Sequence, residues 1–126
     1  MRISRGVKAT LEVMREKAPR ATILLMGITP RNDRGSTAMI PLIREANQRL
    51  GRLANGKRVR FLDINDKLAG PDGKLLAGMT VDGLHLSVKG YQVWADALKP
   101  HLTELLGPPA QTDHAPPPSG DPSLRR

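Results

Sequence analysis

Two short apolar runs separated by one helix constrain this chain more than any other feature. The first, ATILLMG at residues 21–27, has no polar–apolar alternation, the pattern of a strand covered on both faces in a parallel sheet. Its length excludes a helix, because Pro19 closes it on one side and Gly27 with Pro30 on the other. The second, VRFLDI at 59–64, is the next strand. Between them Ile40, Ile43, Ala46, Leu50 and Leu53 recur at helical spacing and predict a helix over 39–54. Pro41 is tolerated in its first turn, where no intrahelical partner is lost, and Asn55 with Gly56 ends it. Strand, helix, strand in this order implies parallel pairing through a right-handed crossover.

Helices flank this unit. Ile3, Val7, Leu11 and Met14 step by four, four and three, predicting an amphipathic helix over 3–17 that Pro19 terminates. Tyr91, Trp94, Leu98, Leu102 and Leu105 form the apolar stripe of a last helix. Ser87 stands where it can cap that helix's first free amides, and Gly107 followed by two prolines stops it. Residues 65–68 form one helical turn and 71–73 a tight turn. Residues 108–126, rich in Pro, Ser, Asp and Gly, read as a disordered tail. The fold class is α/β, but two parallel strands do not make a complete sheet: one edge would expose unpaired amides and carbonyls beside a very apolar strand. The expectation is that sequence missing from this chain, or another chain, completes the sheet.

Composition narrows the function. No cysteine is present among 126 residues, so disulfides and thiolate metal sites are excluded. The three histidines, His85, His101 and His114, include no pair at metal-ligand spacing, so neither a metal nor another cofactor is expected. The net charge of +8 would suit an acidic partner. Against nucleic acid, the basic residues are scattered, and one Phe, one Tyr and one Trp cannot build a stacking platform. No apolar run is long enough to span a bilayer. The N-terminal residues lack the apolar core of a signal peptide, and the compartment stays open because the true N-terminus is expected to be missing.

Asp82 and His85 lie three residues apart in a glycine-containing turn ahead of the last helix. A carboxylate so placed can accept a hydrogen bond from one imidazole nitrogen and leave the other free to act as base. Taken alone D-x-x-H is a weak signal; its context, D-G-L-H-L-S-V-K-G-Y-Q-V-W-A, is stronger. That segment resembles the C-terminal block of the SGNH or GDSL esterases and lipases, close to their platelet-activating-factor acetylhydrolase-like branch. The likeness extends to K-A-T-L-E-V-M-R-E-K-A-P-R-A-T-I-L-L-M-G-I-T-P-R and to V-R-F-L-D-I, and covers residues 3–106.

The resemblance implies a flavodoxin-like α/β/α fold of which this chain holds the last two parallel strands and three main helices. Residues 1–107 would be the C-terminal portion of such a domain. It makes His85 the catalytic general base, Asp82 the residue that orients it, and a small-molecule ester the substrate of the completed protein. The serine block, the second-block glycine and the G-x-N-D block are absent from this sequence, and so are the loops that select an ester. Ser36, beside Asn32 and Asp33 in the loop after the first strand, reads as a turn residue, and Ser87 as a cap. Tyr91 and Trp94 are expected to pack the last helix on the sheet; His101 and His114 carry no case for a site. The resulting expectation is an ester hydrolase portion inactive by itself. The alternative is a non-catalytic basic interaction module, or a half-domain completed by a partner chain.

Overall fold

The computed structural model of the chain describes residues 2–32 and 35–112. Asp33, His114 and the predicted tail beyond 112 lie outside the described residues. The elements follow in the order α1 (Arg2–Lys17), β1 (Ile23–Met26), α2 (Met39–Gly51), β2 (Val59–Leu62), the single turn α3 (Asn65–Leu68) and α4 (Val88–Leu106). β1 and β2 pair in parallel, with Ile23 opposite Val59 and Met26 opposite Leu62.

Alternation along the strands divides their side chains between two helical layers. On one face Ile23, Leu25 and Val59 meet Val7 and Leu11 of α1 and Leu53 and Ala54 beyond α2. On the other, Met26 and Leu62 join Ile64, Leu68 and Met79 against Val93, Trp94 and Ala97 of α4. Arg60 faces α4 as well and gives two hydrogen bonds to the Glu104 carboxylate, at 2.9 and 3.0 Å. The order is therefore helix, sheet, helix.

Both strands are shorter than their apolar runs, and neither is fully covered. Only the first residue of each is buried; the other three are half-buried. The cause is the sheet's size: among the described residues β1 pairs with β2 alone, so its other edge has no neighbour. α2 also stops early, at Gly51, because the chain tightens into three-residue turns, Leu53 N–H to Leu50 C=O and Ala54 N–H to Gly51 C=O. Asn55 then leads into β2, its side-chain oxygen accepting from Lys57 N–H and Val59 N–H.

The predicted stripe of α4 is corrected more deeply. Tyr91 is 47% exposed and Leu102 42%, while the core-facing positions are Gly90, Val93, Trp94 and Ala97. Gly90 sets this roll, for a Cβ there would stand 2.2 Å from the Met79 carbonyl oxygen. The helix backbone thus lies directly against the preceding segment, as no larger residue would permit. On α1, similarly, Leu11 is buried and Val7 packs beside it, while Ile3 and Met14 are exposed.

A polar knot holds the carboxyl ends of the strands. Asn47 of α2 is 3% exposed. Its oxygen accepts from Ile28 N–H at 2.8 Å; its amide nitrogen donates to Ile28 C=O at 2.9 Å and to the Asp63 carboxylate at 3.1 Å. Asn65 donates to the same Ile28 carbonyl, and Asp63 accepts from Asn65 N–H. Ile28 follows β1 and Asp63 follows β2, so one buried amide bridges the points where both strands leave the sheet. Replacing Asn47 by Ala strands the Ile28 amide, and the expected cost is about 2–3 kcal/mol, read as a lower urea midpoint with unchanged slope.

Candidate active site

The segment between the last two helices folds into a closed turn. Thr80 and Leu86 form an isolated antiparallel bridge, and Val81 N–H donates to His85 C=O at 2.9 Å. Gly83, inside the loop so closed, has φ of +85°, a conformation that a side chain would strain. Ser87 clamps the base. Its main-chain N–H donates to Met79 C=O, its hydroxyl donates to Gly78 C=O, and the same oxygen accepts from Gly90 N–H at 3.1 Å. Ser87 is thus the helix cap its position predicts, with its hydroxyl already committed.

Within this turn Asp82 and His85 meet. Oδ1 of Asp82 accepts from His85 N–H at 2.8 Å and Leu84 N–H at 3.0 Å, while Oδ2 lies 2.7 Å from Nδ1 of His85. The His85 main-chain amide foremost, then the His85 ring, then the Leu84 amide hold the Asp82 carboxyl down at about 2. An ionised carboxylate can only accept, so the neutral imidazole carries its proton on Nδ1. Nε2 is left as a lone-pair acceptor on a ring whose side chain is 71% exposed, without a hydrogen-bond partner among the described residues. A ring held in this way can accept a proton at Nε2.

The turn sits at the carboxyl end of the sheet, where α/β folds carry their sites. Asn32 N–H, in the loop after β1, donates to Gly83 C=O at 3.0 Å and joins that loop to the turn. Ser36, exposed in the same loop, accepts from Ala38 N–H and makes no hydrogen bond with His85. Trp94 packs into the core as expected; Tyr91, tilted against it at 6.1 Å, stays exposed. His101 is half-buried, away from the turn's hydrogen bonds. A pocket of about 560 Å³ beside β2 is lined by Arg44, Asn47, Phe61 and Asp63, with neither Asp82 nor His85 in its wall. Among the described residues no group of His, Asp or Glu is arranged to hold a metal ion, and no helix is long and apolar enough to cross a membrane.

Two polar residues that shape this end of the sheet escaped sequence reasoning. Asn47 had a legible signal, since it interrupts the apolar face between Ala46 and Leu50. Thr80, whose hydroxyl accepts from Gly83 N–H at 3.1 Å, had only its place three residues ahead of a glycine.

The sequence model of the GDSL-like Lipase/Acylhydrolase family matches residues 2–93. The alpha1 subunit of platelet-activating factor acetylhydrolase IB from Bos taurus is 30% identical over 109 residues, which cover 82% of this chain and 45% of that subunit. Among solved structures, a Streptococcus pneumonia protein named for platelet activating factor superposes with a TM-score of 0.70 at 30% identity, over 79% of this chain and 50% of that one. A GDSL-like lipase from Bacteroides thetaiotaomicron shares the fold, with a TM-score of 0.66 at 20% identity, over 82% of this chain and 54% of that one. The chain thus spans about half the length of the relatives it matches. Its architecture is that of the α/β/α, flavodoxin-like domain, represented by two parallel strands and their flanking helices.

The charge state of Asp82 leads to a pH prediction. Its folded pKa lies below the ordinary 3.8, so its contribution to stability is full above that value and is lost as pH falls through about 2. Between those limits the melting temperature of the native protein should fall more steeply with acid than that of Asp82→Asn. Parallel curves would show that the carboxylate is not held as described.

Proposed function

Because the chain belongs to the GDSL-like lipase/acylhydrolase family, we propose that it forms the C-terminal portion of a serine carboxylic-ester hydrolase and carries the acid–base half of its catalytic machinery. His85 is the general base and Asp82 the residue that orients it. The observation that carries this reading is the 2.7 Å contact between Asp82 Oδ2 and His85 Nδ1 on a ring whose Nε2 is open. In the completed enzyme a serine hydroxyl gives its proton to Nε2 as its oxygen attacks the ester carbonyl. The imidazolium, stabilised by the Asp82 carboxylate, returns that proton to the leaving alcohol. Water then repeats the sequence on the acyl-enzyme. The substrate is a small-molecule ester.

The serine and the oxyanion donors come, in this reading, from polypeptide outside these 126 residues. Three features support that. No serine hydroxyl among the described residues bonds to His85: those of Ser36 and Ser87 serve a turn and a cap. The pair lines none of the pocket beside β2. Among the described residues each strand has one edge without a neighbour, and a parallel sheet could continue at such an edge. That edge also favours a second reading, a basic half-domain that pairs with a separate chain without catalysing anything.

Lacking nucleophile and oxyanion hole, the isolated chain is expected to hydrolyse p-nitrophenyl acetate no faster than buffer. Joined to the serine-bearing half of a GDSL relative, it should gain hydrolysis that His85→Ala lowers by about 10⁴-fold or more. Turnover by the isolated chain that vanishes in His85→Ala would refute the requirement for a second half. A completed enzyme indifferent to His85→Ala would refute the assignment of the base.

A further inference from the structure

The weak joint of the catalytic turn is the Gly83 peptide. Asp82 and His85 lie on either side of Gly83 and Leu84, and their contact needs the Leu84 and His85 amides to converge on one carboxylate oxygen. The direction of the Leu84 amide is set by the dihedrals at Gly83, and that of the His85 amide by those at Gly83 and Leu84; Gly83 has the widest backbone freedom and is held at φ of +85°. Two hydrogen bonds fix it. Its carbonyl accepts from the main-chain amide of Asn32 at 3.0 Å, and its own amide donates to the Thr80 hydroxyl at 3.1 Å. The Asn32 bond belongs to the backbone whatever side chain stands there. Thr80 supplies the side-chain bond to this peptide.

We propose that Thr80 is a positioning residue for the Asp82–His85 pair, acting through the Gly83 peptide. The inference rests on the reading of these two residues as the acid–base pair. Thr80 is suited to the task in three ways. Its main chain is bridged to Leu86, so the origin of its side chain is fixed. It is half-buried, so water competes weakly for the Gly83 amide. As a β-branched residue it has few χ1 rotamers to lose. A solvated surface threonine would keep its hydroxyl in water, whereas this one accepts a main-chain amide three residues ahead, a local pattern that competes with other backbone conformations. Without it, Gly83 is released on one side, the two amides diverge, and Oδ2 no longer stays opposite Nδ1.

The test reads the histidine directly. With ¹⁵N-labelled histidine, the His85 tautomer is measured by NMR at a pH where the ring is neutral, in the native chain and in Thr80→Val and Thr80→Ser. The native ring should be held with its proton on Nδ1. Thr80→Val should raise the ratio of Nε2–H to Nδ1–H by roughly fivefold, the equivalent of one lost hydrogen bond, and speed amide exchange at Gly83, Leu84 and His85. Thr80→Ser should restore both. A Thr80→Val protein with the native tautomer ratio and native exchange at those amides overturns the proposal, even if it melts at a lower temperature. If Thr80→Val does not fold, Thr80→Ser is compared with Thr80→Cys, whose sulfur accepts poorly: ratios that separate support the proposal, equal ratios overturn it. The measurement involves no ester, so its outcome is independent of whether His85→Ala disables the completed enzyme.

Discussion

A single buried amide organises the end of the sheet on which everything else depends. Asn47 uses both of its donors and its acceptor on groups from two other elements, the Ile28 peptide after β1 and the Asp63 carboxylate after β2. The strand ladder is ending at Ile28, and the half-buried N–H there would otherwise lack a partner. From Ile28 the chain runs to Asn32, whose amide holds the carbonyl of Gly83. The position of the candidate site over the sheet therefore traces back to a polar side chain on the inner face of α2, where the helical pattern calls for an apolar one.

The site itself is stabilised differently. Apart from the bond from Asn32, the interactions that form the turn are local: Thr80 to Gly83, Asp82 to Leu84 and His85, Ser87 to Gly78 and Gly90. Asp82 is well solvated and still strongly acidic, because three donors converge on it rather than because burial isolates it. An imidazole held by a neighbouring carboxylate on the same turn has its tautomer set by a local contact. Among the described residues no serine hydroxyl bonds to this imidazole, and neither Asp82 nor His85 lines the pocket beside β2.

Much of this was legible in the sequence, and the reasons for the exceptions are physical. Strand–helix–strand order, the Ser87 cap, the stop at Gly107 and the Asp82–His85 spacing are local signals, and the structure contains each of them. The roll of α4 was not legible. Its apolar residues make two overlapping stripes, and the choice fell to Gly90 against the Met79 carbonyl, a backbone contact that no periodicity reports. The half-exposed strands reflect how few neighbours these residues have, which apolar runs cannot announce. Asn47 and Thr80 are polar residues whose roles depend on where a distant strand end or a glycine peptide is placed. Their chemistry could be read from the sequence but their partners could not.

The closed loop between Thr80 and Leu86 has a consequence for how such a protein changes over time. Most of the hydrogen bonds that shape it join residues within one contiguous stretch of chain. A contiguous stretch passes through a change of scaffold as one segment, with Asp82 and His85 kept three residues apart. The same property makes it a unit that could be grafted onto another sheet, provided the host offers one backbone amide at the place Asn32 occupies here.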